Sequence, residues 1–146
     1  MKYAIKDSAR WIMNKSKDYI REIYNLHVNT VYRVSFTYMR GSKMDMEDAV
    51  SETFIKFMNA NRIFESDEHI KAWLIVTASN TCKNMLKRKY RDDIPLDENI
   101  INDFDYVKND DLLESVLALP KYERISLFLY YYEGYTASEI ATIIGK

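Results

Sequence analysis

Cysteine is almost missing from this chain of 146 residues, and the one present, Cys82, has no partner for an intrachain disulfide. Its neighbours Thr81 and Lys83 supply no metal-ligand spacing, so a reducing cytoplasm is the expected setting and no metal site is expected. Glycine and proline are scarce as well, three and two residues, which excludes a glycine-rich phosphate loop and leaves long stretches free to be helical. No hydrophobic run is long enough to span a membrane, and the mixed segment 1–11, with Lys2, Lys6, Asp7 and Arg10, lacks the apolar stretch of a signal peptide. There are only two histidines, and neither lies near the paired carboxylates described below.

The formal net charge of -1 and pI near 6.1 argue against a nucleic-acid partner when averaged. The charge is segregated, however. Across 70–91 the charged residues are Lys71, Lys83, Lys87, Arg88, Lys89 and Arg91, a local +6 with no acid. Across 92–115 there are nine acids against Lys108 alone, a net -8. Pro95 and the asparagine-containing acidic run make 92–106 an expected linker, whose charge should compete with nucleic acid for the basic stretch at low salt.

Apolar residues recur at three- and four-residue steps, which predicts an all-α protein. A first helix is expected over 18–40, with Ile20, Ile23, Tyr24, His27, Val31, Val34, Phe36 and Tyr38 on its apolar side and Gly41 and Ser42 ending it. A second, capped by Asp45, should run to about Asn61 and bury Met46, Ala49, Val50, Phe54, Phe57 and Met58. A third, over 69–91, has Ile70, Trp73, Leu74, Val76 and Thr77 in its first half and a basic, solvent-facing second half. Shorter helices are expected over 112–119, stopped by Pro120, over 122–132, and over 136–144 beyond the breaker Gly134.

Cations beside Asn80, Thr81 and Asn84 offer phosphate-binding charge together with groups able to reach base edges. In the preceding loop Phe64, between Arg62 and His69, is placed to stack on an unpaired base or to fold back onto the core. Asp48 and Glu52 sit one helical turn apart with Glu47 adjacent, a crowding of like charge that a basic protein partner would relieve. Residues 134–145 read as the first helix of a helix-turn-helix and the start of its turn, or as the last helix of a bundle.

Read together, these segments resemble the extracytoplasmic-function group of the sigma-70 family. Residues 47–56, Glu-Asp-Ala-Val-Ser-Glu-Thr-Phe-Ile-Lys, are similar to the family's acidic clamp-binding helix. Ala72-Trp73-Leu74, Ala78, Asn80 and Leu86-Lys87-Arg88-Lys89 are similar to its minus-ten helix. Leu117-Ala118-Leu119-Pro120, Arg124, Phe128-Leu129 and 132–141 are similar to the opening of its fourth region. The resemblance implies a helical region 2 domain over 1–91, the acidic linker over 92–106 and a partial region 4 over 107–146 that lacks its recognition helix. It implies a sigma factor that binds core RNA polymerase and recognises and melts the promoter minus-ten element. Glu47, Asp48, Ser51 and Glu52 would dock on a coiled coil of the large polymerase subunit. Phe64 and Asn80 would receive a flipped base, and Lys83, Asn84, Lys87, Arg88, Lys89 and Arg91 would complete the DNA face. An anti-sigma factor is a further partner the resemblance implies; no cofactor is expected.

Two other readings compete. The tyrosine run 130–132 and the missing recognition helix suit a non-sigma helical regulator or truncated sigma-like protein acting through protein contacts. Clustered carboxylates beside a basic helix are the one feature pointing to a nucleic-acid-processing enzyme, but no set of catalytic roles is assembled, so no enzymatic activity is expected.

Overall fold

The computed structural model describes residues 16–40, 43–88 and 115–145. They form five helices: α1 (Lys17–Tyr38), α2 (Lys43–Asn59), α3 (Asp67–Arg88), α4 (Lys121–Tyr131) and α5 (Ala137–Ile144), with one helical turn at 115–117. The fold is all-α, and the described residues contain no strand. The expected linker, together with Lys89 and Arg91, lies outside the described residues.

α1 begins at Ser16, whose hydroxyl accepts the Tyr19 N–H and satisfies one of the helix's unpaired donors. Its residues Tyr19, Ile23, His27, Thr30, Val31 and Val34 lie at helical spacing and face α2 and α3. Further along, Val34, Ser35, Phe36, Thr37 and Tyr38 are all buried, because α4 covers the side of α1 that α2 and α3 leave open. Tyr24, expected inside, lies at the edge of this face, its ring 4.9 Å from that of Phe54 and partly in solvent.

α2 buries Met46, Ala49, Val50, Thr53, Phe54 and Phe57. Two expectations for it are corrected. Asp45 lies inside the first turn and is buried instead of standing before the helix as its cap. Met58 is 45% exposed, lying next to Phe54 at the outer edge of the stripe in the last turn of the helix.

α3 starts two residues earlier than its apolar pattern suggests, since Ser66 accepts the His69 N–H through its hydroxyl and the Ile70 N–H through its carbonyl. Nor is its second half simply solvent-facing. Cys82 and Met85 continue the stripe of Ile70, Leu74 and Ala78 into the core, leaving only the opposite side exposed. Burial in this apolar seam pushes the Cys82 thiol up to about 12, which keeps it protonated and unreactive.

Residues 115–145 return to pack on this three-helix unit: α4 lies on α1 and α5 on α3, so that Leu117, Ile125, Leu129, Ile140, Ile143 and Ile144 share one apolar core with α1–α3. Arg124 is buried at the junction, donating from Nε to the Thr37 carbonyl at 2.6 Å and from Nη1 to the Leu119 carbonyl at 2.9 Å. Thr37 carries one of the last carbonyls of α1, where the helix dipole favours a cation. Burial and the nearby Arg40 still pull the Arg124 guanidinium down to about 10, which leaves it charged at neutral pH.

A candidate nucleic-acid interface and polymerase-docking face

Two exposed faces carry the residues singled out from the sequence. The first belongs to α3. At 100° per residue, Asn80, Asn84, Lys87 and Arg88 fall on one side, opposite the buried Ala78, Cys82 and Met85, and all four are exposed. Trp73 and Thr77 continue the same side toward the start of the helix, with Trp73 half-buried against Phe57 and Phe64. Cations and side-chain amides along one solvent-facing stripe can hold phosphates and present hydrogen-bonding groups to bases.

Lys83 stands at the edge of this stripe and is already engaged, its ammonium donating to the Ile144 carbonyl at 3.0 Å. That carbonyl is open to it because α5 ends in a left-handed turn at Gly145 (φ 77°), where a Cβ would come within 3.4 Å of the lysine nitrogen.

Phe64 is placed differently from the expected base-stacking role. Its ring is 3% exposed and packs against Phe57 (5.5 Å between centroids), Trp73 (5.7 Å) and His69 (5.2 Å). The Arg62 guanidinium lies 5.7 Å from the ring centre. A phenyl group gains more from this aromatic cluster than from exposure in a short loop, so it fixes the loop from inside. His69 adds to the anchoring, its Nδ1 accepting the Glu65 N–H at 3.2 Å. Glu65 itself is exposed.

The second face belongs to α2. Asp48, Ser51, Glu52 and Ile55 lie on one side of the helix, preceded by Met44 and flanked by Glu47. Met44 is 71% and Ile55 54% exposed, so the acids alternate with apolar side chains that no other part of the described structure covers. Glu52 also pairs with Lys56 at 3.4 Å, and Lys56 donates to the Thr81 hydroxyl at 2.9 Å. One lysine thereby bridges the acidic helix and the basic one, beside the packing of Phe57 on Trp73 that sets the two helices together.

The described residues hold no group of three or more metal-ligating side chains, and none of their helices is long and apolar enough to cross a membrane. Residues 23–92, which span α1 to α3 and both faces, match the family model of sigma-70 region 2. This part of the chain is a sigma-70 region 2 domain. The chain is also similar to the RNA polymerase sigma factor SigV of Bacillus subtilis (strain 168), at 27% identity over 124 residues that cover 82% of this chain and 74% of the relative. No solved structure matches the chain significantly.

Residues to which the sequence reading gave no individual role are Glu133 and Arg33. Glu133 follows α4, and its carboxylate, 2% exposed, contacts Lys71 at 2.8 Å and Arg33 at 3.7 Å. An acid beside a glycine in a turn carries no periodic signal; only the three-dimensional return of residues 115–145 brings it onto region 2.

Proposed function

We propose that this chain acts as a sigma factor in transcription initiation, binding core RNA polymerase through α2 and promoter DNA through α3. The observation that carries the reading is the occurrence of two faces within region 2: an acidic and apolar stripe on α2, and a cationic and amide stripe on α3, bridged by Lys56. The apolar part of the α2 face suits a protein partner, since Met44 and Ile55 gain about 25 cal/mol for each Å2 they bury. The acids would give orientation and rate of encounter with a basic partner such as a polymerase coiled coil.

On α3, Lys87 and Arg88 would hold phosphates, with Lys89 and Arg91 continuing the charge in sequence, while Asn80 and Asn84 would contact bases. Melting in this reading is a binding event, in which capture of an unpaired base offsets the cost of unstacking it. Phe64 contributes by holding the loop against Trp73 at the start of α3. The region 4 reading of residues 107–146, and an anti-sigma partner, rest on the sequence resemblance.

Fluorescence anisotropy with a short labelled single-stranded DNA, read across a salt series, tests the DNA side. Replacing Lys87 and Arg88 together with alanine should lower the slope of log affinity against log salt by about 1.4, the value for two phosphate contacts on a single strand. Asn80→Ala should reduce discrimination between sequences and leave the slope in place. A slope unchanged in the double variant would overturn the assignment of α3.

A further inference from the structure

His69 continues the exposed stripe of α3 toward the start of the helix. At 100° per residue it falls on the same side as Trp73, Asn80, Asn84 and Lys87, about 16 Å before Asn80 along the axis. Two donors converge on its half-buried ring: the Glu65 N–H meets Nδ1 at 3.2 Å, and Nη2 of Arg62 lies 3.2 Å from Nε2. A neutral imidazole has one lone pair to offer, and its other nitrogen carries a proton. One of the two donors is therefore not accepted. The Glu65 N–H is held in a loop that Phe64 anchors, whereas the Arg62 guanidinium is exposed at the end of a flexible side chain. Nδ1 accordingly keeps the Glu65 N–H, and Nε2 carries the proton. Nε2–H and the guanidinium then face solvent as neighbouring donors.

We propose that Arg62 and His69 form a phosphate clamp at the start of α3, taking one backbone phosphodiester of the DNA strand whose bases meet Asn80 and Asn84. The inference rests on the reading of α3 as the DNA face and adds the preceding loop to it. A phosphodiester has a negative charge shared by its unesterified oxygens, so it accepts from Nε2–H and from Nη2 at once, and the planar guanidinium suits such paired contacts. Water accepts from both groups as well but brings no charge. Lys87 stands at the other end of the stripe, about 27 Å from His69 along the axis, so the strand is gripped by cations at both ends with the amides between them. The His69 ring is held from beneath by its edge-to-face contact with Phe64, which packs in turn on Trp73. Of the nearby acids, Asp67 is half-buried and acts on Tyr19 and His27 of α1, and Glu68 lies off the stripe. Glu65 alone borders the clamp, and its exposed carboxylate opposes a bound phosphate.

Binding of a short labelled single-stranded DNA to the full chain, followed across a salt series, reads the clamp as charge. Arg62→Gln should lower the slope of log affinity against log salt by about 0.7, the value for one phosphate contact on a single strand, and this loss should add to that of the Lys87 and Arg88 double variant. Arg62→Lys keeps the charge and should restore the slope, which excludes a loop that has merely come loose. His69→Asn keeps an acceptor for the Glu65 N–H but loses the outer donor. Its affinity should fall on the order of tenfold, the scale of one hydrogen bond to a charged group, with the slope unchanged. Glu65→Gln should tighten binding. A slope that responds to Lys87 and Arg88 but not to Arg62 overturns the clamp and leaves the reading of α3 intact. The opposite pattern fails that reading and supports the clamp. Dimethyl phosphate, followed by nitrogen NMR of the histidine rings, decides the clamp without DNA. It should move the His69 Nε2 signal of the wild type and not that of Arg62→Gln; movement in both, or in neither, overturns the proposal.

Discussion

The two parts of the molecule are joined by different chemistry. Within α1–α3 the contacts are an apolar interior built on Ile23, Val31, Leu74, Ala78 and Cys82, all at zero exposure. Residues 115–145 add apolar side chains to that core but are fixed by charged donors on backbone carbonyls and by one buried carboxylate: Arg124 on Thr37 and Leu119, Arg40 on Leu117, Lys83 on Ile144, and Glu133 between Arg33 and Lys71. Burial is non-directional and survives small displacements, whereas hydrogen bonds to charged groups hold at one geometry and are lost together when that geometry goes. The difference teaches that the three-helix unit rests on burial that tolerates displacement, whereas the returning segment, though it shares the same apolar core, is also set in place by directional contacts to charged groups.

The largest effect expected from breaking this contrast comes from the three-helix unit. Leu74→Ala should cost about 2–5 kcal/mol and lower the denaturation midpoint of the whole chain, because it empties a fully buried site in the core. Arg124→Ala should instead loosen one part. Loss of hydrogen bonds from a charged group, at about 1.5–3 kcal/mol, should raise amide exchange across 121–144 and leave that of α2 as it was. Uniform loss of protection would show that the two parts unfold as one.

A smaller effect is tied to pH. His27 is held below its ordinary pKa by burial, and by Lys71, against the opposing pull of Asp67. The unfolded chain therefore takes up this proton more readily than the folded one. Stability is fully present above the unfolded value near 6.5 and falls as the pH drops from there toward the folded value. His27→Gln should flatten that fall in a urea series between neutral and mildly acidic pH. The smallest perturbation leaves the protein folded: a thiol reagent should modify Cys82 only at the rate of unfolding, and Leu74→Ala should accelerate that reaction where Arg124→Ala does not.

Much of this was legible in the sequence, for reasons that are local. Helical periodicity placed α1, α2 and α3 within a few residues, and the breaker Gly134 marked the approach to α5, whose first turn is held by reciprocal Thr136–Glu139 bonds of 3.2 and 3.0 Å. The exposed stripe of Asn80, Asn84, Lys87 and Arg88 followed from spacing alone. What spacing does not encode is which of several solvent-suited groups another element will cover. For Phe64 composition favours folding back onto the core and the family resemblance a base pocket, and only Phe57 and Trp73 around it decide for the core. Lys83 reads as a phosphate ligand until α5 ends beside it. Glu133 gains its role only from a chain return of more than sixty residues from Lys71, which no periodicity reports.

Association with core RNA polymerase tests the sigma-factor reading most directly. In size-exclusion chromatography the wild-type chain should co-elute with the core enzyme, and the charge-reversed Asp48→Lys, Glu52→Lys variant should lose at least about tenfold in affinity while keeping its helical content. A wild-type chain that elutes apart from the core enzyme, or a doubly reversed variant that binds as well as the wild type, would contradict the account.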